Sequence, residues 1–341
     1  MASLVRAACL TDYSEVASAC GLNPSRMLLD AGLPPSVLSE PDLMIPVECV
    51  GRLLQASARA SGNESFGLSM ARSRLLSNMG AVGLLIRDQE TLRESLAMLM
   101  RYQSLLNGSL TLAIEETGST VVIREVLMAG NAHQSTRQRV ELALGVMVRA
   151  IRQLLGADWM PRRVCFEHAA PANLGVHTQL FGPHVEFDCG FNGIVCAQSD
   201  LDRRNPHADP AMVRYAQRLI DAAAPAGPAA MPDEVRRAIL LLLPSGRCSI
   251  EVVAAHLGVA PRTIQRRLSD RRQRFSDLVN DLRRELAMRY VHESNRSLTE
   301  VAEMLGFNAP SSFSRWYQTQ FGISAKESRA QRQTAAQPDT G

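Results

Sequence analysis

The chain has 341 residues, about twice the usual single-domain size, so two domains are expected. Apolar residues make up 46% and charged residues 21%, which excludes a disordered or fibrous chain. The net charge of +3 is unevenly spread: residues 1–232 carry 20 basic and 22 acidic side chains, and residues 233–333 carry 17 and 11. A mildly acidic first part joined to a basic final third points to a sensing or assembly domain attached to a polyanion binder.

The longest apolar run, Ala238 to Leu243, is far short of the ~20 residues of a membrane span. The start, MASLVRAACLTDYSEV, lacks a basic segment followed by a long apolar one. A soluble, cytoplasmic chain with no membrane partner is expected. The cysteines number seven, scattered and without a CxxC pair, which argues against a disulfide framework and a zinc knuckle. No metal or cofactor is expected.

In chain order, Pro46–Ala60 reads as a helix, with Val47, Val50, Leu53 and Leu54 on one face. Thr91–Leu106 reads as another, with Leu92, Leu96, Leu99, Tyr102 and Leu106 at helical spacing. Alternation predicts strands over Ser109–Ile114 and Thr120–Leu127, joined as a hairpin through Glu-Glu-Thr-Gly-Ser. Gln138–Leu155 is a long amphipathic helix, and short strands fall near Arg163–Glu167, Val185–Phe187 and Ile194–Cys196. This is an α+β domain, largely helical with a small sheet, assigned to residues 1–221. Three prolines, a glycine and small residues make 222–232 a linker. Residues 233–332 read as all-α, with helices at Glu234–Leu243 and Phe275–His292, and residues 333–341 as a disordered tail.

The all-α part contains an internal repeat. Ser249-Ile-Glu-Val-Val-Ala-Ala-His-Leu-Gly-Val-Ala-Pro-Arg-Thr-Ile-Gln-Arg-Arg-Leu268 is followed by Ser297-Leu-Thr-Glu-Val-Ala-Glu-Met-Leu-Gly-Phe-Asn-Ala-Pro-Ser-Ser-Phe-Ser-Arg-Trp-Tyr317. Each copy has a small residue (Ala254, Ala302) four positions before a glycine (Gly258, Gly306), then an Ala-Pro pair opening a helix. Two crossing helices need the small residue, and the turn needs a glycine able to take a left-handed conformation. Proline at the first helical turn costs nothing, because that N–H has no helical partner. The pattern predicts two helix-turn-helix motifs, 250–269 and 298–321, joined by a helix of about 18 residues and ~27 Å. That length suits recognition helices one DNA turn, ~34 Å, apart, in successive major grooves.

Residues 233–332 resemble the DNA-binding domain of the AraC/XylS family of bacterial transcription regulators. The resemblance is carried by Leu298-Thr-Glu-Val-Ala-Glu-Met-Leu-Gly-Phe307, Ser312-Phe-Ser-Arg315, Phe321-Gly322 and Arg329, with Arg283 before Ala287 in the joining helix. Ala325 and Ser328 depart from it, where the family has proline and an aromatic. The resemblance implies base-reading positions at Arg262, Gln265 and Arg266 in the first motif, with Ile264 and Leu268 inward. In the second they are Ser311, Ser314 and Arg315, with Phe313 inward. Arginine can grip guanine and glutamine adenine, each pair worth ~1–3 kcal/mol of discrimination. For any one of these arginines the rival role is a phosphate contact or an ion pair. The cluster Arg266, Arg267, Arg271, Arg272 and Arg274 reads as phosphate-facing, a solvated basic face being the alternative.

Residues from about 20 to 220 resemble the sensing domain of the branch that includes ornithine-utilisation regulators. The match runs through Ile45-Pro46, Phe66-Gly67-Leu68, Asn78-Met-Gly-Ala-Val-Gly-Leu-Leu85, Phe181-Gly182 and Phe191-Asn192. The patterns are largely helical, unlike the compact all-β sensor of arabinose regulators. The resemblance implies an effector-binding, self-associating domain, with RNA polymerase and double-stranded DNA as partners. His133 with Arg137, or His177 with His184, are candidates to touch an effector carboxylate; ordinary surface or capping roles are the alternative. No His, Cys or acid spacing suggests a metal site or nucleophilic triad, so no enzyme is expected. The function this implies is a sequence-specific, effector-responsive transcription activator. The rival readings are a small-molecule enzyme, a constitutive repressor or an architectural binder carrying the same DNA-binding domain.

Overall fold

Hydrophobic periodicity sorts the first two-thirds of the chain into helices laid around one sheet, and the last third into helices alone. The computed structural model describes residues 3–127, 136–223, 231–243, 246, 248–257, 259–293 and 296–335. The chain divides into two units, Met1–Ala224 and Pro225–Gly341.

The first unit begins with β1 (Leu4–Arg6), α1 (Tyr13–Ala19), α2 (Pro24–Asp30) and β2 (Met44–Pro46), which pairs antiparallel with β1. Helices α3 (Val47–Ser61), α4 (Phe66–Ala71), α5 (Gly80–Arg87) and α6 (Leu92–Leu106) lead into the hairpin β3 (Leu110–Thr117) and β4 (Thr120–Leu127). Then come α7 (Thr136–Leu155), β5 (Arg163–Cys165), α8 (Gly175–Phe181), β6 (Val185–Glu186), β7 (Asn192–Ala197), α9 (Gln198–Leu201) and α10 (Pro210–Ala223). The sheet order is β3-β4-β7-β5-β6, antiparallel except for the β5–β6 pair.

The hairpin is longer than its apolar alternation indicates. Pairing continues from Leu110↔Leu127 to Thr117↔Thr120, leaving Gly118-Ser119 as the whole turn. β3 is the sheet edge, so Glu115 and Glu116 extend the backbone ladder while their carboxylates meet Arg124 and Arg93 at the surface. Helix α7 is the centre of the unit, packed on α3, α4, α6 and α8 and against β4 and β7. It approaches α4 so closely that a Cβ on Gly67 would lie 2.2 Å from the Gln138 carbonyl oxygen, and one on Gly145 would lie 2.5 Å from Ala71 Cβ. The Gln138 side chain ties the same crossing, accepting from Gly67 N and donating to Glu64 O, both at 2.7 Å.

The second unit is α11 (Met231–Leu242), α12 (Ile250–His256), α13 (Pro261–Ser269), α14 (Phe275–Glu293), α15 (Leu298–Met304), α16 (Pro310–Phe321) and α17 (Ala325–Ala335). Its edges differ from the composition-based ones. Residues 222–223 still belong to α10 and residues 231–232 to α11, because alanine and a first-turn proline are compatible with a helix. Residues 333–335 are helical rather than tail, since the backbone of α17 runs on to Ala335; residues 224–230 and 336–341 lie outside the described residues.

Both motifs start on a serine cap. Ser249 Oγ accepts from Val252 N, while Ser297 and Glu300 form a reciprocal box in which Glu300 Oε2 accepts from Ser297 N at 2.7 Å. Gly258 lies outside the described residues. Gly306 has φ +72°, and a Cβ there would lie 2.2 Å from the Leu243 carbonyl oxygen at the end of α11. Backbone conformation and space therefore both demand glycine in the second turn.

Gly306→Ala is expected to destabilise the second unit by about 2 kcal/mol or more, through a strained left-handed alanine and a clash with a main-chain oxygen. Urea unfolding of the full chain measures it, as a lower midpoint for that unit's transition.

Candidate nucleic-acid interface and ligand cavity

Helices α13 and α16 are each the second helix of a motif, packed on α12 and α15 respectively. In α13, Ile264 and Leu268 are buried while Arg262, Gln265 and Arg266 are exposed. In α16, Phe313 and Tyr317 are buried while Ser311, Ser314 and Arg315 are exposed. Each helix thus spends its apolar stripe on the core and turns its polar face to solvent. The two faces differ in reach. Ser314 Oγ donates back to Pro310 O at 3.0 Å, so Arg315 is the long donor of the second face, against two arginines and a glutamine on the first. Arg271, Arg272 and Arg274 are exposed in and after the turn that follows α13. Arg267 is half-buried, with no hydrogen-bond partner for Nε.

Arginine forks hold the second motif on its scaffold. Arg283 in α14 donates to the Leu305 and Gly306 carbonyls and lies 4.6 Å over the Phe307 ring. Arg329 in α17 donates to Val291 O at 2.9 Å and Arg296 O at 2.6 Å, closing the end of α14. The two departures from the family pattern fit locally. Ala325 opens α17 and is buried, and the small Ser328 lets Tyr317 OH (3.0 Å) and His292 Nε2 (2.7 Å) converge on its hydroxyl.

The first unit contains a cavity of about 160 Å³, walled by β1, α3, α6, the hairpin and α7, with Leu99, Leu112, Leu142 and Val146 among its apolar lining. Arg6, Arg74, Arg139 and Glu125 are its charged lining. Arg74 is 3% exposed and donates to the carbonyls of Met70, Ala8, Cys9 and Thr11. Arg6 pairs with Asp42 and donates to Asn78 O, and Arg139 donates to Ser109 Oγ at 2.7 Å. These guanidiniums surround Cys9, yet burial outweighs them and pushes that thiol up to about 12.

Glu125 has no such partner. It is 3% exposed, on the core-facing side of β4 with Val121, Ile123 and Leu127, and its Oε2 has no hydrogen-bond partner. Burial alone pushes its carboxyl up to about 8. The alternation of Thr120–Leu127 already contained this signal, an acid in phase with the buried valine, isoleucine and leucine.

The effector candidates named from sequence go elsewhere. His133 lies outside the described residues. Arg137 is not in the cavity lining: its Nε donates to Glu141 Oε1 at 3.0 Å and its Nη2 to Glu64 O at 3.2 Å. His177 is separated from the exposed His184 and is fully buried, its Nε2 3.3 Å from Glu141 Oε1, with His168 Nε2 at 3.4 Å. Phe166 and Phe187 close over both imidazoles, and burial pushes His168 down. Arg137, His168 and His177 therefore enclose one buried carboxylate. Cys165, Glu186 and Cys189 also come together, with ligand atoms within 4.8 Å of one another. Arg163 already pairs with Glu186 at 3.1 Å, and burial with the adjacent Cys189 pushes Cys165 up to about 12; both oppose cation binding there.

Glu125 also governs a pH response. Between its unfolded value, about 4.5, and its folded value, about 8, the folded chain holds a proton that the unfolded chain has released. Stability therefore falls as pH rises through that window and levels off above it, by on the order of a few kcal/mol. Arg6, Arg74 and Arg139 are the charged groups that share the cavity with Glu125, and the Cys9 thiol stays neutral across this window, so it does not contribute to the slope. Glu125→Gln is expected to flatten the slope and to be more stable than the parent at pH 8, as read by urea unfolding at pH 5 and pH 8.

The family profile described as "Arabinose-binding domain of AraC transcription regulator, N-term" matches residues 21–205, and that described as "Helix-turn-helix domain" matches residues 253–331. The HTH-type transcriptional regulator VirS of Mycobacterium tuberculosis is 29% identical over 333 residues, covering 97% of this chain and 97% of its own. The ornithine utilization regulator of Pseudomonas aeruginosa is 23% identical over 318 residues, covering 92% of this chain and 93% of its own. Among solved structures, the transcriptional regulator CdpR from Pseudomonas aeruginosa aligns with 20% identity and a TM-score of 0.44, over 89% of this chain and 97% of that one. With an N-terminal family match spanning more than half of the chain and a helix-turn-helix match behind it, this chain belongs to the AraC family of transcription regulators, DNA-binding proteins that carry an N-terminal ligand-binding domain.

Proposed function

We propose that the protein is an effector-responsive transcription activator whose α13 and α16 read two successive major grooves, with no catalytic activity of its own. The observation that carries this reading is the paired arrangement of the second unit: two helices, each buried on one face and polar on the other, on either side of a 19-residue helix. A helix of that length spans about 28 Å, close to one turn of DNA. Arg262, Gln265 and Arg266 read bases in the first groove; Ser311, Ser314 and Arg315 read a shallower set in the second. Arg267, Arg271, Arg272 and Arg274 hold phosphates, Arg274 at the N-terminal end of α14, where the helix dipole favours an anion.

Effector binding in the first unit shifts the population of a state able to bind DNA or to contact RNA polymerase. The same unit pairs two copies of the chain, and the protein works in the cytoplasm, where its DNA is. No described helix is long and apolar enough to cross a membrane.

Selection from a random DNA library with the full chain is expected to recover a site with two half-sites about one helical turn apart, the half facing α13 being better defined. Recovery of no preferred sequence would favour an architectural binder instead. On the recovered site, Arg266→Ala is expected to lose about 1–3 kcal/mol and to relax choice at one base pair. Arg274→Ala is expected to weaken specific and random DNA alike and to lower the slope of log affinity against log salt by about one. Binding titrations across a salt series distinguish the two.

A further inference from the structure

We infer that the cavity of the first unit is built for a small aliphatic molecule with a carboxylate at one end and an amine at the other, the amine meeting Glu125 and the carboxylate lying toward Arg6, Arg74 and Arg139. The inference rests on the effector-responsive reading above and names the chemistry of that effector.

Three observations carry it. First, Glu125 is 97% buried by its 3% exposure, lines the cavity, and has an oxygen with no hydrogen-bond partner. A buried carboxyl oxygen without a hydrogen-bond partner costs about 1–3 kcal/mol, so an amine that takes up the carboxyl's proton and donates back to it as an ammonium recovers what the fold gives up. Second, the opposite charge is also in the wall. The Arg74 guanidinium is held by four backbone carbonyls rather than by a bonded carboxylate, so its charge remains to attract an anion. Third, the charges stand on different walls: Arg6 on β1 and Arg74 just after α4, Glu125 on β4. The Cys9 thiol feels Arg74, Arg139 and Arg6, whereas burial is the sole influence on Glu125. Between them the wall is hydrocarbon, including Val50, Leu99, Leu112, Leu142 and Val146.

A simple fatty acid with its carboxylate at the arginines would leave the Glu125 carboxyl without a partner. A simple amine would enter a wall carrying three guanidiniums with nothing to offer them. A molecule with both groups and a hydrocarbon spacer meets each demand, and orienting groups at two ends of an apolar pocket are the usual source of ligand specificity.

Calorimetric titration of the full chain, without DNA, tests this with 4-aminobutanoate, 6-aminohexanoate and 8-aminooctanoate. Hexanoate, hexylamine and 6-hydroxyhexanoate are the single-ended and uncharged-donor controls. At least one of the amino acids is expected to bind about tenfold tighter than every control. In Glu125→Gln that advantage is expected to vanish, while hexanoate binding and the melting temperature show that the fold is kept. A control that binds as tightly as the whole series, an equal loss for hexanoate and the amino acids in the variant, or no binding by any of the series would overturn the inference. Measuring DNA affinity with the ligands present separates it from the reading on which it rests. An amino acid that binds without changing DNA affinity keeps the ligand class and removes the effector response. Hexanoate that binds tightest and changes DNA affinity does the reverse.

Discussion

Helices end in carbonyls that no helical N–H reaches, and in this protein the recurring answer is an arginine fork. In the first unit Arg74 gathers the carbonyls of Ala8, Cys9, Thr11 and Met70, joining the N-terminal segment to the end of α4. In the second, Arg283 holds the carbonyls at the end of α15, and Arg329 those at the end of α14. A guanidinium offers five N–H donors in a flat fan, so one side chain can serve several carbonyls while its stem stays in the apolar interior. An ammonium concentrates its donors at a point and is more strongly hydrated, so it cannot do the same in a buried place. Lys326, the one lysine of the chain, is exposed.

That device leaves the charge of Arg74 inside the first unit held by carbonyls rather than by a bonded carboxylate, and it gives the cavity its character. The walls are mostly hydrocarbon, the cationic lining belongs to structural arginines, and the single acid of the lining, Glu125 on the hairpin, has a carboxyl oxygen with no hydrogen-bond partner. Glu141 keeps different company: it is a fully buried carboxylate whose Oε1 meets Arg137, His168 and His177, while its Oε2, like that of Glu125, has no hydrogen-bond partner. One acid is surrounded by cationic and imidazole groups, and the other faces open space. Of the two carboxylates, Glu125 is the one that lines the cavity.

The helix-turn-helix pair was legible because its determinants are local. Serine caps, the small residue at the crossing, the turn glycine and the Ala-Pro opening all act within about twenty residues of sequence, and the inward Ile264, Leu268 and Phe313 follow from helical phase. The hairpin was legible for the same reason, except at its outer end, where an edge strand tolerates charges that alternation treats as a turn. The limits of the linker and of the final helix were not legible. Alanine-rich segments satisfy a helix as readily as a loop, and composition cannot choose between them. The five-stranded order, with its one parallel pair, depends on where β5, β6 and β7 meet, which no local pattern specifies.

The sequence by itself determined the class of this protein, a basic two-motif reader behind an acidic helical domain, because charge distribution and short-range periodicity are properties of the chain. Only the tertiary structure decided which polar residues of that first domain face a cavity. Cys9, Arg74, Glu125 and Arg139 come from segments far apart in the chain, and they line one cavity only after α7 has packed against the hairpin and Arg74 has gathered the N-terminal segment. Arg137 and His177 carry the right chemistry for a ligand, but the same folding turns them onto Glu141. A side chain's chemistry is written in its residue type; whether its partner is protein or ligand depends on what the fold leaves beside it.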